Sequence, residues 1–192
     1  MTHDELLDLF RRSGALLDGH FRLSSGLHSS GYLQCALVLQ HPQHAEALGR
    51  AIAERTRHLR PTLVLSPALG GVVIGHEVGR ALGVRALFAE RQDGTLTLRR
   101  GFVIAESDRV LVVEDVLTTG GSTRETMQVA HAAGGLIVGV ASVVDRSQGT
   151  ARFEVPFTSL LDVTLPAYEP AACPICAAGL PVVKPGSRPA VA

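Results

Sequence analysis

The chain has 192 residues, 46% hydrophobic and 19% charged. That composition excludes a disordered chain and, at about 150 residues per domain, gives one domain with its own core. Eighteen Lys and Arg balance eighteen Asp and Glu, so no overall basic field exists to attract nucleic acid or an anionic membrane.

The opening MTHDELLDLFRRSG is acidic and amphipathic, unlike a signal peptide, and no apolar run is long enough to span a membrane. A cytoplasmic location is the expectation. Thr2 and Glu5 have capping-box spacing, and Leu6, Leu7 and Phe10 recur at helical spacing, which predicts a helix to about Gly14. Arg11 and Arg12 read as its solvated face. From Phe21 to Leu39 the text FRLSSGLHSSGYLQCALVL is broken by Gly and Ser into short extended pieces, which predicts a hairpin. Pro42 opens a helix to about Leu59, and Pro61 stops it.

TLVLS (62–66) reads as a buried strand. The helix that follows carries Gly71, Gly75, Gly79 and Gly83 four apart, a small-residue face for tight packing on a sheet. VRALFAE (84–90) is the next strand, RQDGTLTLRR is a polar excursion with an Asp93-Gly94 turn, and GFVI returns to apolar text. RVLVV (109–113) is a strand, a helix runs from Ser122 to about Ala133, and LIVGVASVV (136–144) is another buried strand. Alternating strands and helices predict an α/β fold with a mostly parallel central sheet flanked by helices. The Pro-rich PVVKPGSRPAVA at the end is expected to be irregular.

The chemistry concentrates in VLVVEDVLTTGGST, residues 110–123. A buried strand carries Glu114 and Asp115 to the carboxyl end of the sheet, where open α/β folds bind ligands. A turn of small residues, Thr118, Thr119, Gly120, Gly121 and Ser122, then opens a helix whose free N–H groups and dipole favour an anion. The Walker A lysine is missing, and there is no GxGxxG pattern. Acids beside a phosphate cradle suit a phosphorylated sugar, with its phosphate in the cradle and its hydroxyls on the acids.

This stretch resembles the phosphoribosyl diphosphate (PRPP) loop of the type I phosphoribosyltransferases. The rest of the chain is similar to the orotate-using branch of that family. FRLSSGLHSSGYLQ (21–34) resembles its N-terminal hood, SPALGGVVIG (66–75) its pyrophosphate loop, and SVVDR (142–146) the strand end from which an Arg reaches orotate. The resemblance implies the type I phosphoribosyltransferase fold as a single domain over 1–192, with a hood and N-terminal helix over about 1–40 and a tail over about 173–192.

The resemblance also implies roles. Glu114 and Asp115 hold the ribose hydroxyls, and Val116 and Leu117 lead into the phosphate-binding run 118–122. Thr118, Arg146, Tyr32 and Leu33 meet orotate. Ala68, Leu69, Gly70 and Gly71 form the pyrophosphate loop, and Asp115, Arg91, Arg99 and Arg100 are the catalytic candidates, Arg91 also on PRPP. Mg²⁺ is implied as the cofactor, held mainly by substrate oxygens with no protein metal site needed. A homodimer with a loop closing across the interface is implied as well. The family commonly carries Lys where this chain has Ser24 and Gly70, and Lys and His in the loop where this chain has only Arg91, Arg99 and Arg100. Arg binds phosphate bidentately and stays charged, so the exchange is chemically sound.

The reaction implied is displacement at ribose C1 by a base nitrogen with pyrophosphate leaving. Two other readings are a purine-base transferase of the same fold and a regulator that senses PRPP. Cys173-Pro-Ile-Cys176 is half of a zinc knuckle with no second CxxC, so it reads as a reduced thiol pair. Completing a zinc site would need Cys35 with one of His28, His41 or His44. His131 reads as a surface residue.

Overall fold

A computed structural model describes residues 1–23 and 25–184. Ser24 and most of the PVVKPGSRPAVA segment lie outside the described residues. Helix α1 (His3–Arg12) starts at a capping box in which Thr2 and Glu5 each bind the other's backbone N–H, and it buries Leu6, Leu9 and Phe10. Strands β1 (Leu16–Arg22) and β2 (His28–Leu33) form the expected hairpin, beginning five residues before Phe21. A short helix α2 (Ala36–Leu39) leads to α3 (Pro42–Thr56), and one 3-10 turn carries the chain to Leu59.

The core alternates as its sequence demands: β3 (Leu63–Pro67), α4 (Gly70–Leu82), β4 (Arg85–Gln92), β5 (Thr95–Thr97), β6 (Arg109–Leu117), α5 (Gly121–Ala132), β7 (Leu136–Asp145) and β8 (Phe157–Asp162). The main sheet has the order β5-β4-β3-β6-β7-β8. Only the β4–β5 pair is antiparallel; every other neighbour is parallel. This is the mostly parallel α/β architecture that the sequence predicts. Residues 102–105 stay outside the sheet. Two-residue β9 (Ala167–Tyr168) leaves the core and adds to β2, giving a second sheet of order β1-β2-β9. The hood therefore takes its third strand from the C-terminal part of the chain.

Buried side chains divide between the two faces of the sheet. Val64, Leu111, Val113 and Val143 pack with α1, α3, α4 and the hood. Leu63, Leu65, Val110, Val112 and Val140 pack with Ala130 of α5. Helix α4 lies so close to the sheet that side chains are excluded from its inner face. A Cβ on Gly75 would stand 2.0 Å from Ser66 Oγ, and one on Gly79 2.8 Å from Ala86 Cβ. Gly83 does not share that face; with φ +73 it caps the helix in the left-handed conformation.

After β9, a 3-10 turn (Pro170–Ala172) and α6 (Pro174–Ala177) carry Cys173 and Cys176 back over the hood. The thiols meet His20 and His28 there. Cys35 is elsewhere, its Sγ buried against the Asp115 carbonyl. The residues named from the sequence as partners for the CxxC pair are thus corrected: His28 is right, while His20 takes the place given to Cys35. Spacing alone could not show that, because the hairpin and the C-terminal segment meet only in three dimensions. His131, Arg11 and Arg12 are exposed. No helix among the described residues is long and apolar enough to cross a membrane.

The glycine face of α4 yields a first test. Gly79→Val should overpack the α4–β4 contact and lower stability by about 1–3 kcal/mol, read as a shifted urea midpoint. An unchanged midpoint would mean that α4 does not sit this close to the sheet.

Candidate active site

Strand β6 alternates, and the alternation decides where its acids go. Val110 and Val112 face α5, while Leu111 and Val113 face α4. Glu114 continues the first row. It is 7% exposed and accepts from Ser122 Oγ at 2.6 Å and from Thr123 Oγ1. Asp115 continues the second row, and its carboxylate fills the space beside Gly70, 2.6–2.8 Å from where a Cβ would stand. The strand extends to Leu117, four residues past the expected end, so both acids lie within it. Neighbours in sequence are here on opposite faces of the sheet.

Burial raises both carboxyls above their ordinary range. For Glu114 the hydroxyls of Ser122 and Thr123 oppose the rise and the charge of Asp115 adds to it. For Asp115 the backbone N–H groups of Val116 and of Asp115 itself oppose it.

Thr118 and Thr119 are exposed, and Gly120 turns the chain at φ +76 into α5. Any side chain at Gly120 would be strained there and would press on Arg124 Nη1 at 3.0 Å and on the Phe153 ring at 3.3 Å. Arg124 buttresses the turn. Its Nη1 donates to the Thr119 carbonyl at 2.8 Å, its Nη2 to the Arg152 carbonyl at 3.2 Å, and its guanidinium lies 5.3 Å from the Phe153 ring centre. Sequence reading missed Arg124, since an Arg one turn into a helix resembles any solvated cation. The first N–H groups of α5 have no intrahelical acceptor, so the turn is built to receive an anion.

Across the sheet edge, the Ala68 N–H donates to the Ala89 carbonyl at 2.7 Å, the Ala68–Leu69 peptide is cis, and α4 begins at Gly70. Gly71 packs on Ser66 and on the Val113 carbonyl. A cleft of about 380 Å³ opens between Gln34, Ala36, Gln40, Leu69, Val73 and Asp115.

Leu117 pairs with Asp145 at the ends of β6 and β7, so Thr118 and Arg146 leave the sheet side by side. The Arg146 N–H donates to the Leu117 carbonyl at 2.8 Å. Its side chain is half-buried, its Nε is buried with no partner, and no carboxylate among the described residues pairs with it. Burial lowers its pKa, against an opposing contribution from the nearby Tyr32 phenol. Tyr32 is half-buried and Leu33 is buried in the hood. The structure therefore brings Thr118, Arg146 and Tyr32 to one end of the sheet.

The polar excursion is a hairpin extending from the carboxyl end of β4. Arg91 pairs with Glu125 at 2.9 Å and donates to the Gly94 carbonyl at 2.6 Å. Arg100 pairs with Glu90 at 3.0 Å and stacks on Phe88, and Arg99 stands 3.9 Å from the same carboxylate. All three are engaged by acids of their own chain and do not touch the cradle.

Residues 36–167 match the phosphoribosyl transferase domain family. Orotate phosphoribosyltransferase of Heliobacterium modesticaldum is 53% identical over 190 residues, covering 98% of this chain and all of that protein. The enzyme of the same name from Chlorobaculum parvum is 54% identical over 188 residues, covering 98% of this chain and 97% of that protein. The crystal structure of Mycobacterium tuberculosis orotate phosphoribosyltransferase in complex with PRPP aligns with a TM-score of 0.66 at 28% identity, covering 83% of this chain and 95% of that one.

The raised Asp115 carboxyl predicts a stability effect with a definite sign. A carboxyl raised in the folded state favours folding fully below its unfolded pKa, about 4, and loses that contribution as pH rises through the folded value. Asp115→Asn removes the loss, so its Tm should equal or exceed wild type at pH 7. The two curves should converge on acidification below about pH 4. A variant clearly less stable than wild type at pH 7 would show that the ionised carboxylate holds the fold together.

Proposed function

This chain belongs to the phosphoribosyl transferase family, and on that premise we propose that it transfers the phosphoribosyl group of PRPP to orotate. The products are orotidine 5′-phosphate and pyrophosphate, a step of pyrimidine biosynthesis. The observation that carries the choice of base is Arg146, a half-buried cation whose Nε has no partner. A carboxylated base supplies the missing acceptor; a purine brings no anion to it. That separates this reading from a purine-base transferase.

The cradle of Thr118, Thr119, Gly120, Gly121 and Ser122 receives the 5′-phosphate at the N-terminus of α5. Asp115 accepts hydrogen bonds from the ribose hydroxyls. Glu114 braces the cradle through Ser122 and Thr123 and so fixes where the phosphate sits. The loop of Ala68, Leu69, Gly70 and Gly71, with the N-terminus of α4 behind it, faces the diphosphate. A base nitrogen attacks C1 as the C1–O bond breaks, and the electron pair of that bond leaves on pyrophosphate, with inversion at C1. The negative charge of Asp115 favours the positive character that the ribose gains on the way. Tyr32 covers the base, while Leu33, given the same role from the sequence, packs into the core and anchors the strand that carries Tyr32.

Mg²⁺ would supply charge neutralisation on the diphosphate, held mainly by substrate oxygens and water, and the hard carboxylate oxygens of Asp115, beside Gly70 and the pyrophosphate loop, would suit it. Arg91, Arg99 and Arg100 reach the diphosphate by exchanging Glu125 and Glu90 for phosphate. The exposed Arg91–Glu125 pair is worth about 0–1 kcal/mol, so that exchange costs little, whereas Glu90 is only 18% exposed and gives up more when its arginines leave. Leu69, 87% exposed, with Val73, leaves an apolar border on the cleft that a second copy of the chain covers. The protein acts as a homodimer in the cytoplasm.

With PRPP and Mg²⁺ present, the purified chain should release pyrophosphate with orotate and not with adenine or guanine. Arg146→Ala should lower kcat/KM for orotate by about 1.5–3 kcal/mol, roughly ten- to a hundredfold, with PRPP affinity unchanged. Wild-type orotate kinetics in that variant would remove Arg146 from the site. For the loop, mixed Arg99→Ala and Asp115→Asn subunits should regain part of the activity that each lacks alone. Hybrids that stay inactive would confine the loop to its own subunit.

A further inference from the structure

Four side chains outside the active site converge on one point of the hood. His20 comes from β1, His28 from β2, and Cys173 and Cys176 from the turn that begins α6. Their donor atoms all lie within 4.8 Å of one another. His20 Nε2 is 3.5 Å from Cys173 Sγ, 3.6 Å from Cys176 Sγ and 2.9 Å from His28 Nδ1, and His28 Nδ1 is 3.2 Å from Cys176 Sγ. A tetrahedral ion with Zn–S of about 2.3 Å and Zn–N of about 2.0–2.1 Å sets S and N about 3.5 Å apart, and two N about 3.3 Å apart. Two of the three sulfur–nitrogen distances fit that tetrahedron closely, while His28 Nδ1–Cys176 Sγ and the nitrogen pair are a few tenths of an ångström tighter.

We propose that His20 Nε2, His28 Nδ1, Cys173 Sγ and Cys176 Sγ form a structural zinc site that fastens residues 170–184 to the hood. The tautomer of His20 is set for it. The Leu180 carbonyl lies 2.8 Å from His20 Nδ1 and can only accept, so Nδ1 carries the hydrogen and the lone pair of Nε2 faces the other three donors. A second partner of this kind orients a metal-ligating imidazole. His20, His28 and Cys173 are buried, while Cys176 stands at the rim and leaves a path for the ion. Two thiolates with two neutral imidazoles complete a tetrahedron, so no position stays open for substrate and the site is structural, not catalytic.

The hood explains why a clamp is useful. Its sheet has three strands, and β9 contributes two residues to it. A hairpin alone is marginal in water. Beyond the thiols, backbone bonds from Val183 to His20 and from Arg22 to Val183 hold the returning segment at 2.8 Å each. An ion joining both hood strands to that segment cross-links pieces about 150 residues apart in the chain, where loop-closure entropy is large. Tyr32 lies on β2 with His28, so the clamp also steadies the base side of the active site.

The test starts with the wild-type full chain, expressed with zinc and purified without chelator. Metal analysis by plasma mass spectrometry should give one zinc ion per chain. Exchange of zinc for Co²⁺ should produce the visible d–d bands of tetrahedral cobalt and sulfur-to-cobalt charge transfer in the near ultraviolet. The paired Cys173→Ser and Cys176→Ser variant should lose both signals, with far-ultraviolet circular dichroism reporting whether the fold survives. Wild-type chain that holds no zinc, and that after reduction gains no cobalt bands, overturns the site whatever the variant does. Zinc that persists in the double variant overturns it as well, because the ion then sits elsewhere.

Discussion

Alternation along β6 is the constraint on which the site depends. A strand must send successive side chains to opposite faces, and this strand is buried on both. Val110 and Val112 commit one row to α5, so Glu114 is delivered to the helix that forms the cradle. Leu111 and Val113 commit the other row to α4, so Asp115 is delivered to the loop that opens α4 at Gly70. One strand thereby distributes two charges to two loops, and the parallel sheet brings both loops to one edge. A shift of one residue in register would exchange the two acids and leave each facing the wrong loop.

The glycines of α4 complete that arrangement. Because Gly71, Gly75 and Gly79 carry no side chains, α4 comes down onto β3 and β4, and its N-terminus stands beside Asp115. Gly70 matters most. The space where a side chain would begin is filled by the Asp115 carboxylate, so a lysine at this position would have to displace it. The absence of Lys there and the burial of Asp115 are one structural fact. On the proposed reading, diphosphate charge is met by groups further out, the arginines of the β4–β5 hairpin on that edge of the sheet.

Most of the core was legible in the sequence because its signals are local. Buried strands read as short apolar runs, Pro42 opens its helix, and Thr2 with Glu5 closes a capping box. The cradle was legible for the same reason, since strand, small-residue turn and helix are contiguous. What the sequence hid depends on distance. Adjacent acids look paired in text, but a strand that runs on to Leu117 separates them. Gly83 repeats the four-residue spacing but caps the helix. The third hood strand comes from Ala167 and Tyr168, too short to carry a pattern, and His20 has no motif to announce it. Arg124 was invisible because its value lies in Thr119, Arg152 and Phe153, the last two remote in sequence.

The electrostatics of the edge connect these placements to binding. Burial raises the Glu114 and Asp115 carboxyls and lowers the Arg146 guanidinium, so the surroundings oppose the charged form of each group. Opposite charges on one edge could relieve each other by pairing, yet Arg146 leaves the sheet beyond β7 while the acids stay within β6. Geometry therefore keeps them apart: Glu114 is already relieved by Ser122 and Thr123, and on the proposed reading hydroxyl donors and a cation relieve Asp115 while the base supplies an acceptor for the arginine. A ligand that binds only the folded chain adds its binding free energy to stability. A site of separated, desolvated charges is thus least favourable when empty, and it favours a ligand set whose charges mirror its own. PRPP with its cation, together with a carboxylated base, has that pattern, and a neutral purine leaves the Arg146 half unmatched.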